Sequence, residues 1–514
     1  MRRNFSPFRF LKSRRVRRNC TVTALLSFIA VAAIIGRPVL HLARTAWQDT
    51  EEREPLKEGF VDDASRMNLT EISEVWPVPL DTREAEIQLA KLFARAQREG
   101  LPISIAGARH SMGGHTLVPG GIMIDMTPFH KMTLDETNNL LHVQAGAKWS
   151  QIIPWLDQRG KSVAIMQSNN SFTVGGSVSV NCHGWQYGCP PIASSVESFR
   201  LMRADGRILY CSRTENSELF SLALGGYGLF GLILDVDLRV VPNERYCLEQ
   251  ATVPVEQALS TFDEMIENPS VAMTFARMNI TPDQFLDDVI ITVFYRDPAP
   301  SDSVPELTDL PLAAIRRPVF RGSINNDYGK KLRWQAETIL QPHVRQNHYS
   351  RNQLLNEGVE IFENRSADYT DILHEYFIPR AGLTEFTTAL REIIPHHHQD
   401  LLNVTIRQVD VDEDTFLRYA DQPLFSFVML FCQPRTEKGD QQMKVLSAEL
   451  IDVATQAGGR YYLPYRLHAT PQQFHRAYPQ AKQFFALKRT YDPQELFQNQ
   501  FYRKYGSPAV LNKE

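Results

Sequence analysis

The chain of 514 residues lacks several features that would point its function elsewhere. It has six cysteines (Cys20, Cys182, Cys189, Cys211, Cys247 and Cys432), and no two stand as C-x-x-C. That scatter disfavours a zinc or iron–sulfur site. Cys182 and Cys189 are close enough in sequence to pair in an oxidising compartment, but free structural thiols are the simpler reading. Positive charge is not in excess: the net charge is −4, so nucleic acid is not the expected partner. No internal repeat or low-complexity tract stands out. His396, His397 and His398 are consecutive and point different ways on a strand or helix, so they do not converge on one ion, and no metal is expected. What remains, 43% hydrophobic and 22% charged residues, suits a globular enzyme of two or three domains.

The N-terminus departs from this average. Residues 1–20 carry Arg2, Arg3, Arg9, Lys12, Arg14, Arg15, Arg17 and Arg18 and no acid. Residues 21–36 are almost wholly apolar, and a weaker apolar tail runs to Leu42. Counted over 21–42 the run is long enough to span a bilayer, with Arg37 snorkelling. The basic cluster would stay cytoplasmic, placing the body of the chain on the non-cytoplasmic side as a single-pass membrane protein. A cleaved signal and an exported soluble protein are the alternative. Ser13-Arg14-Arg15 hints at a twin-arginine signal, but Arg17 and Arg18 sit where such signals prefer apolar residues, and no good small-x-small site follows. A retained anchor is favoured. Residues 43–60 are charged and read as a linker.

The folded body then alternates helices and strands, which indicates an α+β or α/β chain. Asp81-Thr82-Arg83-Glu84 is a capping-box-like start to a helix with Ile87, Ala90, Phe93 and Ala94 on one side and a stop at Gly100. Strands are expected at 102–106, 122–126 and 140–145, and a helix at 149–159. Asp205-Gly206 marks a hairpin between 199–202 and 207–211. Residues 230–241 alternate polar and apolar as one long strand, ended by Pro242. After a Pro-rich break at 297–311 come helices and strands of a second domain.

Residues 107–115 read G-A-R-H-S-M-G-G-H and follow the apolar strand at once. A strand ending in a glycine-rich turn directs backbone N–H groups at an anion, because glycine accepts the conformations a concave loop needs. A second segment, 169–185, reads N-N-S-F-T-V-G-G-S-V-S-V-N-C-H-G-W, and a third, 225–236, reads G-G-Y-G-L-F-G-L-I-L-D-V. The loop at 107–115 is not the G-x-G-x-x-G fingerprint, which disfavours a nicotinamide Rossmann enzyme. In this order and spacing the three segments resemble the flavin domain of the vanillyl-alcohol-oxidase (PCMH-type FAD-binding) family, closest in pattern to its sugar, alditol and aldonolactone oxidase branch. The resemblance covers about 62–245 and returns in L-K-R-T-Y-D-P-Q-E-L-F-Q-N-Q-F at 487–501. H-E-Y-F-I-P at 374–379 resembles the E-Y-x-x-P strand of that branch's cap domain.

The resemblance implies an α+β fold: a two-subdomain FAD-binding domain at 61–245, a substrate cap at 246–475 and a return to the FAD domain at 476–514. It implies that FAD is held by Gly107, Ala108, Arg109, His110, Ser111, Gly114 and His115, by Thr173, Val174, Gly175, Gly176 and Ser177, and by His183, Gly184, Ile233 and Asn499. His110 matches the histidine that family members often join covalently to the flavin 8α-methyl carbon, so a covalent link is expected. Asn499 and Gln500 would close the pocket over the ring. The substrate would be a polyol or lactone oxidised at a CH–OH group by hydride transfer to flavin N5, with electrons passing to oxygen or a quinone-type membrane acceptor. Arg407 fits the arginine of the branch's Glu-x-Arg pair, but Thr405 stands where its acid belongs. Tyr465, Arg466 and His468 lie where the branch places a further active-site cluster, without its lysine. These four polar groups, Arg407 included, are the catalytic candidates. Two alternatives stay open: an oxidase of a lipid-linked sugar, and a degenerate flavin-binding protein without turnover.

Overall fold

The computed structural model describes residues 36–49, 55–298, 304–308 and 313–508. Most of the candidate anchor, residues 21–35, lies outside them. Among the described residues no helix is long and apolar enough to cross a membrane. The segment read as a linker needs correction: a helix, Arg37–Gln48, occupies its start. Pro38 sits in the first turn of that helix, where its missing N–H costs nothing.

Two sheets carry the first half of the chain. The smaller is parallel, in the order Glu74–Pro77, Ile122–Asp125, Ile103–Ala106. The larger is antiparallel, in the order Ile208–Ser212, Val196–Met202, Leu232–Pro242, Leu140–Gln144, Met132–Asp135, with Lys161–Val163 paired to the far end of Leu232–Pro242. The expected hairpin is present: Met202 faces Ile208, and Gly206 takes φ 79° in the turn. Along Leu232–Pro242 the polar alternation has direct partners, with Arg200 on Asp235 and His142 on Asp237.

Helix Thr82–Glu99 ties the two sheets together: its Arg95 pairs with Glu74 of the smaller sheet, while its Glu86 pairs with Arg200 of the larger and its Gln97 donates to the Ala204 carbonyl in the larger sheet's hairpin. Asp81 caps it by accepting from the Glu84 amide at 3.0 Å, and Gly100 ends it at φ 68°. The buried face matches the expected one only in part, at Phe93 and half-buried Ala90. Ala85, Leu89, Leu92, Phe93 and Ala96 are inside, whereas Ile87 and Ala94 face solvent. Two apolar stripes overlap on this helix, and the sheets cover the one with Leu89, Leu92 and Phe93, which removes more apolar surface from water.

G-x-G-x-x-G does occur once, at residues 226–231. There it links helix Ser217–Ala223 to strand Leu232–Pro242, so it precedes a strand and does not open a helix. That order cannot present a helix N-terminus to a dinucleotide.

The second half builds one eight-stranded antiparallel sheet. Its order is His348–Ser350, Arg245–Pro254, Asp288–Arg296, Val271–Met278, Asp400–Val409, Leu424–Pro434, Tyr369–Pro379, Arg460–Tyr461. Helices Val255–Ile266, Leu383–His396 and Glu437–Gln456 pack on it. Helices Ala313–Arg321 and Asp327–Gln335, with their continuation to Val344, roof a cavity that the sheet floors. Residues at every second position, such as 403, 405 and 407 or 290, 292 and 294, line that cavity, as the period of a strand requires.

The chain ends against its own first half. Ile103 donates to the Leu496 carbonyl at 2.7 Å and accepts from Gln498, extending the parallel sheet. Just before this, Lys488 and Asp492 form a fully buried ion pair at 2.7 Å. The same carboxylate also accepts the amides of Leu496 and Phe497, so its remaining lone pairs are satisfied. Phe93→Ala should therefore cost about 3–5 kcal/mol by opening a cavity under the helix. Ile87→Ala should leave thermal unfolding nearly unchanged, and comparing the two melting curves checks which face is buried.

Candidate functional site

Strand Ile103–Ala106 delivers the chain into the glycine loop. Gly107 is there for closeness: a Cβ on it would stand 2.0 Å from Thr173 Oγ1. The left-handed conformation falls on Arg109 (φ 55°) and Gly114 (φ 67°), so a residue with a side chain carries strain that the sequence seemed to assign to glycine. The loop is clamped from behind. Met112 donates to the Pro464 carbonyl and Gly114 to Asp63 Oδ2, both at 2.8 Å, while the Ala64 amide donates to the Arg109 carbonyl. Among the described residues, none accepts from the amides of Ala108, Arg109 or Ser111. The Ser111 hydroxyl is buried without a partner. These donors form a concave nest suited to an anion.

Facing it is the turn at Thr173. The Thr173 hydroxyl caps Val174–Ser179 by accepting from Gly176 at 3.2 Å, and Gly175 packs directly on Ala145. Ala108, Arg109, His110 and Phe172 line the cavity, with the His110 and Phe172 rings 4.4 Å apart. Several other predicted contacts sit behind this wall. Val174 and Ile233 are buried in the core. Ser177 lies between Trp149 Nε1 and Gln167. His115 packs against Tyr227 and Phe501, and burial pushes its imidazole down to about 3, so it stays neutral. Asn499 caps Gln500–Tyr505 and donates to the Tyr227 carbonyl, while Gln500 packs against Gly114. These two brace the loop and do not cover the cavity. Gly184 has its place because a Cβ would meet the Met166 carbonyl at 1.9 Å.

The cap supplies a group the sequence reading did not single out. Glu375, only 3% exposed, lies mid-strand in Tyr369–Pro379. Its Oε1 meets His183 Nε2 at 2.5 Å and accepts from Ser426 Oγ at 2.5 Å, and its Oε2 accepts from Tyr465 at 3.0 Å. Burial alone would raise its pKa. His183, Arg407 and the Ser426 bond outweigh burial and hold it below the usual carboxylate range. Burial, and then this carboxylate, push the Tyr465 phenol well above its ordinary value. Arg407 lines the cavity and donates to Ser168 at 2.9 Å, while its Nε is buried without a partner. Burial lowers its pKa against the opposing pull of Glu375 and Tyr465, but a guanidinium remains charged. A carboxylate thus stands in this network on Tyr369–Pro379, two strands from Arg407, and not at position 405. A lone glutamate among the apolar residues of H-E-Y-F-I-P was the available signal.

The other two catalytic candidates stand apart. Arg466 binds both oxygens of Asp440 at 2.8 Å and also Asn68, and His468 reaches the same carboxylate at 3.2 Å. Neither lines the cavity. Despite burial, the bond from His468 and the charge of Arg466 hold Asp440 down to about 2. The histidine triplet also diverges: His397 pairs with Glu449, and His398 turns away at φ 52°. All five described cysteines are free, and Cys20 lies outside the described residues. Cys182, beside His183, is buried and pushed up to about 12, so it is a thiol and not a thiolate.

The cavity measures about 1310 Å³, larger than the roughly 300–1000 Å³ of a drug-sized site. An anion nest at one wall, glycines where a Cβ could not fit, and a buried guanidinium opposite suit a cofactor with a pyrophosphate and a flat ring. The class this defines is a flavoprotein with an FAD-binding domain and an antiparallel cap. An FAD binding domain model matches residues 83–212, and a D-arabinono-1,4-lactone oxidase model matches 236–505. The second spans more than half the chain, which therefore belongs to the D-arabinono-1,4-lactone oxidase family. Among relatives, L-gulonolactone oxidase of Mus musculus is 28% identical over 35% of this chain and 40% of its own length. Decaprenylphosphoryl-beta-D-ribose oxidase of Mycolicibacterium smegmatis is 21% identical over 83% of this chain and 94% of its own. L-gulono-1,4-lactone dehydrogenase of Mycobacterium tuberculosis is 20% identical over 82% and 95%. The chain spans about a third to two fifths of the length of the mouse enzyme and of an uncharacterized oxidoreductase of Rhodococcoides fascians.

Gly107→Ala should force Thr173 aside and lower the FAD carried per chain, read from absorbance of the purified protein. Because the folded pKa of Asp440 lies below its unfolded value, its stabilisation is complete above 3.8 and is lost as pH falls towards about 2. The melting temperature of Asp440→Asn should lie below that of the wild type at neutral pH, with the gap closing over that acid range.

Proposed function

We propose that the protein is an FAD-dependent oxidoreductase that oxidises a CH–OH group of a sugar-like lactone or alditol. The observation that carries this reading is the pair Arg407 and Tyr465 lining the cavity that the His110 loop also lines, with Glu375 buried behind Tyr465. Bound FAD supplies the two-electron acceptor. Ala108, Arg109 and Ser111 amides would hold its pyrophosphate, with Gly107 and Thr173 shaping the turn. Arg407 would bind the substrate oxygen and stabilise negative charge as its proton leaves. Tyr465 touches both the cavity and Glu375, so the carboxylate would orient its hydroxyl towards the substrate oxygen. Glu375 is a positioning residue: it stays ionised, holds the Tyr465 hydroxyl, and is itself oriented by His183. His110 would carry the covalent bond to the flavin. Oxygen or a quinone would take the electrons in the second half-reaction.

A second reading, a lipid-linked sugar as substrate, is supported by the apolar part of the cavity: Leu248, Phe275, Ile290, Phe294, Leu332 and Leu340. Leu40, Trp47, Ile315, Ile339 and Val344 are exposed apolar residues on the N-terminal and roof helices. Together with the apolar run at 21–36, they support a membrane-anchored enzyme with its body on the non-cytoplasmic side. An exported soluble form remains the alternative, and the partition of the full chain between membrane and soluble fractions separates the two. A turnover-free flavin protein would keep its yellow colour with every donor.

Arg407→Ala should lower kcat/KM for the accepted donor by about 10²–10³-fold. Glu375→Gln should lower kcat at unchanged flavin content. Acid precipitation should leave flavin with the wild-type pellet and release it from His110→Ala. Failure of lactones, alditols and lipid-linked sugars alike to bleach the flavin anaerobically would overturn the assignment.

A further inference from the structure

The geometry points to a tetrahedral transition-metal site, of zinc type, formed by Cys247, Asp297 and His348 on the cap sheet. The three residues are distant in sequence, which is why cysteine spacing could not reveal them. Cys247 and His348 are direct cross-strand partners of the pair Arg245–Pro254 and His348–Ser350. Asp297 follows the end of the adjoining strand Asp288–Arg296 and is anchored by its amide donating to the Arg245 carbonyl at 2.9 Å.

Distances separate this group from a chance surface cluster. Cys247 Sγ stands 3.6 Å from His348 Nδ1 and 3.6 Å from Asp297 Oδ2, and His348 Nδ1 stands 3.3 Å from Asp297 Oδ2. Bond lengths of about 2.3 Å to sulfur and about 2.0–2.1 Å to nitrogen or oxygen, set at tetrahedral angles, separate sulfur from nitrogen or oxygen by about 3.5 Å and nitrogen from oxygen by about 3.3 Å. The three donor atoms thus already occupy one face of a zinc-sized tetrahedron, leaving the fourth vertex for water. Sulfur, imidazole and carboxylate also favour zinc or cobalt over magnesium or calcium. Among the described residues no other group of three such side chains converges this way. Arg245 shares Asp297 Oδ2 at 2.6 Å, so the ion would have a neighbouring positive charge and bind more weakly than at a site without one.

The position gives the site a role separate from the flavin chemistry. Four strands lie between the Cys247 strand and the Glu375 strand in the sheet order, so at about 4.8 Å per strand the two are roughly 24 Å apart, and the ion does not act on the groups around Glu375. Asp297 and His348 instead bracket the excursion that carries the roof helices over the cavity. A metal bound to both would clip the two ends of that excursion together and reduce the entropy it gains on opening.

The test uses the full-length protein, stripped with chelator and titrated with cobalt(II). One cobalt per chain is expected, with a thiolate-to-cobalt charge-transfer band and the strong visible bands of tetrahedral cobalt at wavelengths beyond the flavin. Cys247→Ser should abolish the charge-transfer band, and His348→Gln should weaken binding at least tenfold. Zinc should raise the melting temperature and slow proteolysis within 298–347 in the wild type but not in His348→Gln, a readout that stands if Cys247→Ser does not fold. Weak octahedral bands only, or the same charge-transfer band in Cys247→Ser, would overturn the proposal. None of these readouts depends on turnover, so they are independent of the proposed reaction.

Discussion

A carboxylate without water must be surrounded by donors, and the requirement of Glu375 organises much of this molecule. Its partners come from three regions: His183 from the first half, Ser426 from the neighbouring cap strand and Tyr465 from the segment leading back to the C-terminal helices. Removing one partner of such a buried charge typically costs about 3–5 kcal/mol. The charge therefore constrains how the cap sheet sits on the flavin-binding half. Arg407 extends the same network, reaching Ser168 beside the second glycine segment.

The two walls of the cavity are made in different ways. One is backbone, a loop whose amides are left unused because Asp63 and the Pro464 carbonyl hold it from behind. The other is side chain, presented at alternate positions from the antiparallel sheet. A loop of amides tolerates little change, since Gly107 and Gly113 have no room for a Cβ. A sheet floor can be altered one residue at a time without moving its neighbours. Such a division keeps the cofactor side fixed while the substrate side is free to differ among relatives.

Local features were legible in the sequence; convergent ones were not. The Asp81 cap, the Gly206 hairpin and the alternating strand ending at Pro242 depend on neighbours within a few residues, and each was readable. The face of helix Thr82–Glu99 was misread in part because Ile87 and Leu89 are equally apolar, and only the sheets decide between them. Thr405 leaves a gap in the expected Glu-x-Arg pair, and the carboxylate nearest that network, Glu375, stands on a different strand. Of the neighbouring candidates Tyr465, Arg466 and His468, only Tyr465 lines the cavity, because the other two side chains are taken up by Asp440. The strain at Arg109 left no trace in the sequence, since a glycine-rich stretch does not say which residue will adopt the left-handed conformation.

The last turns of the chain complete the first glycine loop. Asn499 holds Tyr227, 272 residues earlier, and Gln500 reaches Thr70 across 430 residues while its side chain packs on Gly114. On the ribosome, then, the flavin-binding half must wait for almost the whole polypeptide before its anion nest is braced. The anion nest is thus completed only after the whole cap between its two halves has been made, so a chain stopped inside the cap would have the glycine loop without its brace.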